Sequence, residues 1–315
     1  SMSYEDSAVM GIRGKDGKTI INPSMDTVFN PGDKVVAISK DDDTIRLSSG
    51  GAASVNPDAI TTGSPKMADT EKTLILGWNC KACNIAMELD NYLAPGSMLT
   101  VVAEGEGVEE QLNDLKPRLK NQGVEFKPGN ISDRELLDSM ELHIYNHIIL
   151  LSYSDTMPEQ DADSKSLITL LHLRNIEEKT GNDFTIVSEM MDIRNKELAE
   201  VTEADDFIIS NKLISLMLSQ LSENKELKAV FDGLFDADGS EIYVKPITDY
   251  VKTGVAVNFY TLCESASRKG EIAIGYRLNE FSHNVNRAYG VSVNPKKSDM
   301  VTFSESDKLI VIAED

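Results

Sequence analysis

The stretch KTLILGWNCKACNIAMEL, residues 72–89, decides the fold of this chain. An apolar run over residues 73–77 ends in a glycine, and apolar residues at helical spacing follow over residues 85–93. A buried strand that turns through a glycine into a helix is the opening step of a parallel α/β sheet. The stretch therefore predicts a strand–turn–helix unit.

The same alternation of apolar runs and helical patterns continues as far as residue 209. Further strands are predicted at residues 99–103, 124–127, 147–151, 184–187 and 206–209, and helices between them at residues 109–120, 132–140, 164–179 and 197–203. Ser132 is the expected N-cap of the third helix, because Glu135 follows three residues later and completes a capping box. Six strands with five intervening helices predict an α/β, Rossmann-like, doubly wound parallel sheet.

The two ends of the chain repeat one pattern. Gly11-Ile12-Arg13, Asn22-Pro23 and DKVVAISKD at residues 33–41 are matched by Gly275-Tyr276-Arg277, Asn294-Pro295 and DKLIVIAED at residues 307–315. Self-similarity of this length indicates related structural units. We therefore expect two small β-rich (α+β) lobes, one on each side of the Rossmann-like unit along the chain.

The repeat and the α/β pattern together divide the chain into five parts. Residues 1–47 form a first small lobe, 48–71 a linker rich in small residues, and 72–210 the Rossmann-like lobe. Residues 211–238 carry one long apolar helical stripe and act as a connector, and 239–315 form the second small lobe. A stripe of that kind is usually core or partner packing.

The amino-acid composition limits the kinds of molecule that the chain can bind and the compartment in which it works. Lys and Arg number 31 against 52 Asp and Glu in 315 residues, a net charge of −21. That charge repels phosphate backbones and anionic lipid, so nucleic acid is excluded as a partner. Three cysteines favour a reducing compartment over a disulfide scaffold. No apolar run reaches the roughly 18 residues of a membrane helix, so we expect a soluble fragment, and its opening suggests a piece of a longer protein.

A nucleotide site is the first candidate at the carboxyl edge of the sheet, where doubly wound folds bind ligands. Gly77 fits the first glycine of a dinucleotide fingerprint, but Asn79 stands where the second glycine should be. Glu104 fits the ribose-binding acid, and Gly129-Asn130 follows the third strand on the adenine side of such a site. The broken glycine pattern makes a nucleotide of the NAD type the less favoured ligand.

A cation site is the second candidate at the same edge. Asp155, Glu159, Asp161 and Asp163 follow the fourth strand, and Glu189 and Asp192 follow the fifth. Carboxylates brought together from separate segments are what calcium requires, although each of them alone is typical of a solvated surface. The Cys80-x-x-Cys83 pair at a helix start suggests a lowered thiol pKa, yet no second pair completes a zinc site. Its redox role stays open.

No catalytic set stands out. His143, His147, His172 and His283 have no Ser or Cys partner, and no nucleophile elbow occurs. An enzyme is therefore not the preferred interpretation.

The chain resembles the cytosolic part of CASTOR/POLLUX-type ion channels, a branch of the regulators of potassium conductance (RCK). The residues that carry the resemblance are LGWN at 76–79, LAPGS at 93–97, LLSYSD at 150–155, AD at 162–163 with LLHLR at 170–174, and GSEIY at 239–243. They occur in order within the predicted α/β frame and cover residues 72–315.

The resemblance implies a pair of RCK units, each with a Rossmann-like lobe followed by a small lobe. The first lobe then ends an upstream unit, and the fragment lies at the cytoplasmic face of a membrane in a homo-oligomer, a dimer or a tetrameric ring, beneath a pore domain of the same full-length chain. Glu189 and Asp192 fall where related units place cation-binding carboxylates. Asp163, from the acidic cluster after the fourth strand, is the third candidate metal ligand. Gly77 and Glu104 fall where others hold a nucleotide.

The predicted function is thus a ligand-sensing gating module of a cation channel that responds to a divalent cation such as calcium. Two alternatives stay open: an NAD-dependent oxidoreductase, and a structural ring-assembly module whose Rossmann-like site is empty. The sequence leaves the regulatory ligand, the permeant ion and the assembly of the isolated fragment undetermined.

Overall fold

A computed structural model describes residues 3–41, 45, 47, 54–62, 69–181, 184–195, 206–236, 239–282 and 284–314. The chain groups into two compact units, one formed by Ser1–Lys66 with Asn224–Asp315 and the other by Met67–Glu223. The two ends of the chain therefore fold together, and the Rossmann-like segment folds as a unit of its own.

The described residues contain both kinds of element in the predicted alternation. The strands are β1 Ser7–Arg13, β2 Thr19–Ile21, β3 Lys34–Ser39, β4 Lys72–Leu76, β5 Ser97–Ala103, β6 Gln122–Pro128, β7 His147–Leu150, β8 Thr185–Met190, β9 Asp206–Ile209, β10 Glu241–Pro246, β11 Ala256–Asn258, β12 Ile272–Arg277, β13 Val291–Val293, β14 Met300–Thr302 and β15 Lys308–Ala313. The α-helices are α1 Ala82–Tyr92, α2 Val108–Leu115, α3 Arg134–Asp138, α4 Glu159–Thr180, α5 Ser210–Glu223, α6 Leu227–Leu234 and α7 Phe259–Ser267.

The Rossmann-like unit is built on one parallel sheet of six strands. Its order is β6-β5-β4-β7-β8-β9, with Leu74 of the central strand opposite Thr100 on one side and Ile148 on the other. Leu74, Ile75 and Leu76 are all fully buried, because helices cover both faces of the sheet. The predicted doubly wound α/β fold is confirmed.

Two helices of the Rossmann-like unit begin at other residues than the sequence predicts. Asp133, not Ser132, caps α3 through a bond from the Glu135 amide, because Asn130 already accepts both the amide and the hydroxyl of Ser132. Helix α4 begins at Glu159, since Pro158 provides an extended N-cap residue before an acidic first turn.

The long connector is two helices rather than one. Its break falls at Asn224, whose side chain accepts a bond from the Glu226 amide at 2.9 Å. Such a bond two residues along the chain competes with helical bonding. The helix predicted at residues 197–203 lies outside the described residues.

The sequence repeat corresponds to a structural repeat. The first lobe has the strand order β2-β1-β3 and the second β13-β12-β15, where β10 adds a fourth strand beside β15. Both central strands carry a bulge just before a glycine, Gly11 or Gly275. A Cβ at either glycine would lie 2.4 Å from the carbonyl oxygen of the neighbouring strand, so only glycine permits this approach.

The two lobes pair with each other through matching contacts. Asn22 Nδ2 donates to the Gly270 carbonyl oxygen at 3.1 Å, and Asn294 Nδ2 donates to the Asp6 carbonyl oxygen at 2.8 Å. The two bonds are reciprocal: the same asparagine of the repeat in each lobe contacts the same place in the other lobe, as in a two-fold symmetric interface. The shared core is apolar and combines both lobes: Ala8, Met10, Ile21, Val230, Ile274, Ile310 and Ile312.

Candidate functional site

The candidate site lies at the carboxyl edge of the parallel sheet, where the chain leaves β4 for α1. Strand β4 is flanked there by β5 and β7, so the connections from β4 and β7 leave towards opposite faces and open a crevice. Gly77 makes the turn with φ of +91°, and a Cβ on it would lie 2.3 Å from the Leu151 carbonyl oxygen. This predicted site residue is thus explained by the close approach of two strand ends.

Asn79 ties three segments together beneath that turn. It is buried, and its Nδ2 donates to the Ser152 carbonyl oxygen at 2.7 Å and to Glu189 Oε2 at 2.9 Å. Its Oδ1 accepts a bond from the Lys81 amide at 3.0 Å. The asparagine at the position of the second fingerprint glycine therefore has a structural role, because it joins the turn to the ends of two other strands.

Asp155 lies against the first turn that leads into α1. Its Oδ2 accepts a hydrogen bond from the Cys80 amide at 2.5 Å. In a dinucleotide site, the amides at this helix start bind the pyrophosphate. A carboxylate of the protein thus uses the donor that a phosphate group would need.

The two cysteines behave differently from the sequence expectation of a lowered thiol pKa. The hydrogen bond to the Asp155 side chain, with desolvation, raises the pKa of the Cys80 thiol. Burial raises the pKa of the Cys83 thiol. Both cysteines are free, and neither is held as a reactive thiolate.

Glu104 lies at the end of β5 and is joined to the other side of the crevice. Its carboxylate forms an ion pair with Lys165 of α4, and its amide donates to the Tyr153 hydroxyl at 3.0 Å. The Lys165 ammonium also lies 4.6 Å from the centre of the Tyr153 ring. Burial raises the pKa of Tyr153, which keeps its hydroxyl protonated.

A cavity of about 600 Å³ opens between these groups. Its walls include Trp78, Asn79, Glu104, Tyr153, Asp155 and Met157. Gly129 and Asn130 are not among the lining residues. Gly129 donates its amide to the Ala103 carbonyl oxygen at 3.1 Å, and Asn130 accepts from Ser132, so both make the entry to α3. Of the predicted nucleotide residues, Asn79 and Glu104 are therefore the ones that line the cavity.

The predicted cation ligands lie toward the β8 end of the same edge, and each already has internal partners. Glu189, 7% exposed, pairs with Lys81 in addition to its bond from Asn79. Asp163 is fully buried and accepts from the Met191 and Asp192 amides at 2.9 and 3.0 Å. The bonds from the Arg194 side chain to Asp192 lower the pKa of that carboxyl.

These carboxylates do not form a ready-made calcium site. In the part of the chain that the structure describes, no group of three or more His, Cys, Asp or Glu side chains is arranged to hold a metal ion. Asp163 instead supports the loop after β8 through backbone amides. Calcium binding by Asp163, Glu189 and Asp192 stays a prediction.

Several residues of the site gave no recognisable signal in the sequence. Lys81 and Lys165 each neutralise an acid on a distant segment, 108 and 61 residues away. Trp78 donates from Nε1 to Gln111 Oε1 at 3.0 Å and forms a cavity wall. For Trp78 the sequence offered two hints: its place in the LGWN stretch that carries the resemblance, and its position directly after the first strand, since strand ends carry ligand contacts in this fold.

Known proteins match the chain both in sequence and in fold. Residues 1–54 match the profile of a family described as Castor and Pollux, part of voltage-gated ion channel. The chain is 29% identical, over an alignment of 352 positions including gaps, to the probable ion channel POLLUX of Arabidopsis thaliana, covering 99% of this chain and 41% of the relative. It is 30% identical, over an alignment of 335 positions including gaps, to the ion channel CASTOR of Lotus japonicus, covering 95% of this chain and 38% of the relative.

The chain therefore spans about two fifths of the length of these relatives. Among the helices of the described ranges, none combines the length and apolar character needed to cross a membrane. The human SLO3 gating ring has a similar fold, with a TM-score of 0.66 at 12% identity, covering 97% of this chain and 61% of that chain. The similarity to CASTOR/POLLUX-type ion channels that the sequence motifs predict is confirmed by these matches.

Proposed function

We propose that this chain is a cytosolic regulatory module of a cation channel. The observation that carries the proposal is the similarity to CASTOR and POLLUX channels along nearly the whole chain, at 28–30% identity. The fold shared with a gating ring supports the same class of role. The paired lobes and the Rossmann-like unit would then act on a pore by changing shape rather than by catalysing a reaction.

The assembly follows from the same proposal. A pore domain in the remainder of a longer chain would supply the membrane part, and several copies of the module would form a dimer or a ring at the cytoplasmic face. The apolar residues of α5 that face solvent, Leu213, Ile214, Leu216 and Leu218, support burial against a further surface in such an assembly.

We further propose that a divalent cation such as calcium is the regulatory ligand, with Asp163, Glu189 and Asp192 as the residues to test. The support is that carboxylates from α4, β8 and the loop after it lie at one edge of the sheet. Because Lys81 and Arg194 now neutralise two of them, calcium would have to compete with both cations. A ligand shifts a conformational equilibrium only by its different affinity for the two shapes.

The test is thermal unfolding of the isolated chain with increasing calcium, followed by the emission of Trp78, the single tryptophan. We expect a saturable rise of the melting temperature that Glu189→Gln abolishes. Glu178→Gln, on the exposed side of α4, is the matched control and should behave like the wild type. Magnesium at equal concentration separates calcium selectivity from a general charge effect.

The regulatory role and the calcium ligand can be rejected independently of each other. An absence of any response to divalent ions would reject the calcium ligand and favour a structural ring-assembly role. The regulatory role itself is tested in the full-length channel, by comparing the current of the wild type with that of a channel that carries Asn22→Ala and Asn294→Ala, which remove the two hydrogen bonds between the lobes. Unchanged gating in a channel that carries these substitutions would contradict a role in gating.

The alternative of an NAD-dependent oxidoreductase meets an electrostatic obstacle. The pyrophosphate of such a cofactor carries negative charge, and Asp155 already occupies the Cys80 amide. No observation in the described ranges favours that activity, so we do not propose it.

A further inference from the structure

The cavity beside Trp78 has acidic and aromatic walls, which suit a ligand other than calcium or a nucleotide. We propose that it binds a small organic cation of about nucleoside size, and that Asp155 keeps phosphorylated ligands out. This inference goes beyond the regulatory role and needs neither the channel nor the calcium proposal to be correct.

The charge of the walls is the first argument. Glu104, Glu106 and Asp155 all line the cavity, whereas no lysine or arginine among the residues that the structure describes does. Lys165 neutralises Glu104, but in the described ranges neither Glu106 nor Asp155 forms an ion pair. A ligand that enters therefore meets an excess of negative charge, which favours a cation.

The aromatic walls are the second argument. Trp78 is held in place by its bond to Gln111, and Tyr153 by the bond from the Glu104 amide. Both rings are more than nine-tenths buried, with Met157 beside them in the cavity wall. Rings that are fixed in this way offer a face or an edge to the apolar part of a ligand and attract a positive charge.

The protein itself provides an example of this mode of binding. The Lys165 ammonium contacts the Glu104 carboxylate and at the same time lies over the Tyr153 ring at 4.6 Å. An ammonium group of a ligand would find the same pair of features, a carboxylate and an aromatic ring, at Asp155 or Glu106 and Trp78. The volume of about 600 Å³ accommodates a molecule much larger than a hydrated metal ion.

Phosphate is excluded because its usual donors are taken. The Cys80 amide donates to Asp155, the Lys81 amide donates to Asn79, and the Lys81 ammonium pairs with Glu189. A phosphate group at this turn would lie against the Asp155 carboxylate instead of amide donors. Asp155 is itself exposed, so replacing it need not disturb the core.

The experiment measures binding directly by calorimetry and by the emission of Trp78. The probes are benzyltrimethylammonium and spermidine as cations, benzyl alcohol as the uncharged match, and ADP as the phosphorylated ligand. We expect saturable binding of at least one cation, with benzyl alcohol weaker by roughly tenfold or more, since a charge-assisted contact is lost. ADP should not bind to the wild type.

Variants then assign the effect to residues. Glu106→Gln and Asp155→Asn should each weaken the cation by roughly tenfold, while Glu178→Gln should not. Asp155→Ser should allow ADP to bind, because it frees the Cys80 amide. The circular dichroism spectrum of each variant verifies that it is folded before binding is measured.

Three results would overturn the inference. The first is that neither cation binds at millimolar concentration. The second is that a cation binds equally to the wild type and to both cavity variants, which indicates general attraction to an acidic surface. The third is that ADP binds to the wild type as well as to Asp155→Ser. None of these results depends on channel current, so they leave the regulatory proposal untouched.

Discussion

Asn79→Asp is the substitution that tests the organisation of the site most directly. It changes one atom of a buried side chain and keeps its shape. The wild-type amide donates to both the Ser152 carbonyl oxygen and Glu189. The carboxylate of the variant would instead place negative charge against two acceptors, one of them already charged.

The expected loss follows from these contacts. Losing the two hydrogen bonds that the amide donates should lower the free energy of unfolding by about 2–3 kcal/mol, and Asn79→Ala also loses the bond that Oδ1 accepts from the Lys81 amide. The aspartate adds repulsion from Glu189, about 4 kcal/mol for charges about 4 Å apart at an effective dielectric constant near 20. The Lys81 ammonium, half exposed, offsets part of it. We therefore expect a total loss of about 3–5 kcal/mol for Asn79→Asp.

The assay is urea unfolding followed by Trp78, which lies next to the changed residue and reports on the Rossmann-like unit. Repulsion raises the pKa of the new aspartate when the chain is folded. The folded state then binds more protons than the unfolded state, so the variant should regain stability from pH 7 to pH 5, whereas Asn79→Ala should not.

The control for this prediction is Asn113→Asp on the exposed surface of α2, next to Lys116, where we expect almost no loss. The reasoning would be refuted if Asn79→Asp and Asn79→Ala had equal stability at both pH values. It would also fail if Asn79→Asp stayed within about 0.5 kcal/mol of the wild type, the range of ordinary surface substitutions.

Three further predictions test the folds of the two units. Gly77→Ala should lower the free energy of unfolding in urea by more than about 3 kcal/mol, because its Cβ would lie 2.3 Å from a carbonyl oxygen. Gly181→Ala, which has open space around it and the same sign of φ, should lower it by only about 1 kcal/mol. Equal losses would contradict the steric argument. Asn22→Ala and Asn294→Ala should each lower the free energy of unfolding by about 2 kcal/mol, because each loses one hydrogen bond and puts alanine into a left-handed backbone conformation. Both should increase the hydrogen exchange of β1 and β12 to the same extent. Strongly unequal effects would contradict the two-fold pairing. Lys297→Met gives the second lobe the residue found at the matching position of the first lobe, Met25. Burial lowers the pKa of Lys297, so the unfolded wild type binds more protons than the folded wild type, and the stability of the wild type relative to the variant should rise from about pH 8 to pH 10. Parallel stability curves of the two proteins would contradict this.

The inner strands of the sheet could be predicted because they are buried on both faces. Apolar runs such as that ending at Gly77 are continuous where helices cover both faces of a sheet, whereas the edge strand β6 is largely exposed and has a shorter apolar signal. The repeat at the two ends was equally readable, since Gly11 and Gly275 occupy a bulge that tolerates no Cβ. The residue that caps α3 was harder to predict, because several polar side chains near the helix start compete for the same hydrogen bonds. Asn130 accepts the hydrogen bond from the hydroxyl of Ser132, and Asp133 caps the helix instead.

The candidate site was predictable in location but less so in chemistry. The fold places ligands at the carboxyl strand ends, and Asn79, Glu104 and Glu189 do lie there. The partners of these residues come from far along the chain, as with Lys165 and Glu104, and no local pattern encodes such a pair. Counting carboxylates in the sequence therefore overestimates the negative charge that is available to a cation.

Three groups at this edge have pKa values that are shifted away from neutral pH. A general acid or base works best when its pKa lies near the operating pH, and enzymes shift carboxylates upward and lysines or thiols downward to reach it. Here the shifts run the other way. Asp192 is lowered by Arg194, Tyr153 is raised by burial, and Cys80 is raised through its bond to Asp155. Each of these three groups is therefore held in the charge state that it has at neutral pH, and none of the three is adjusted to exchange a proton at that pH.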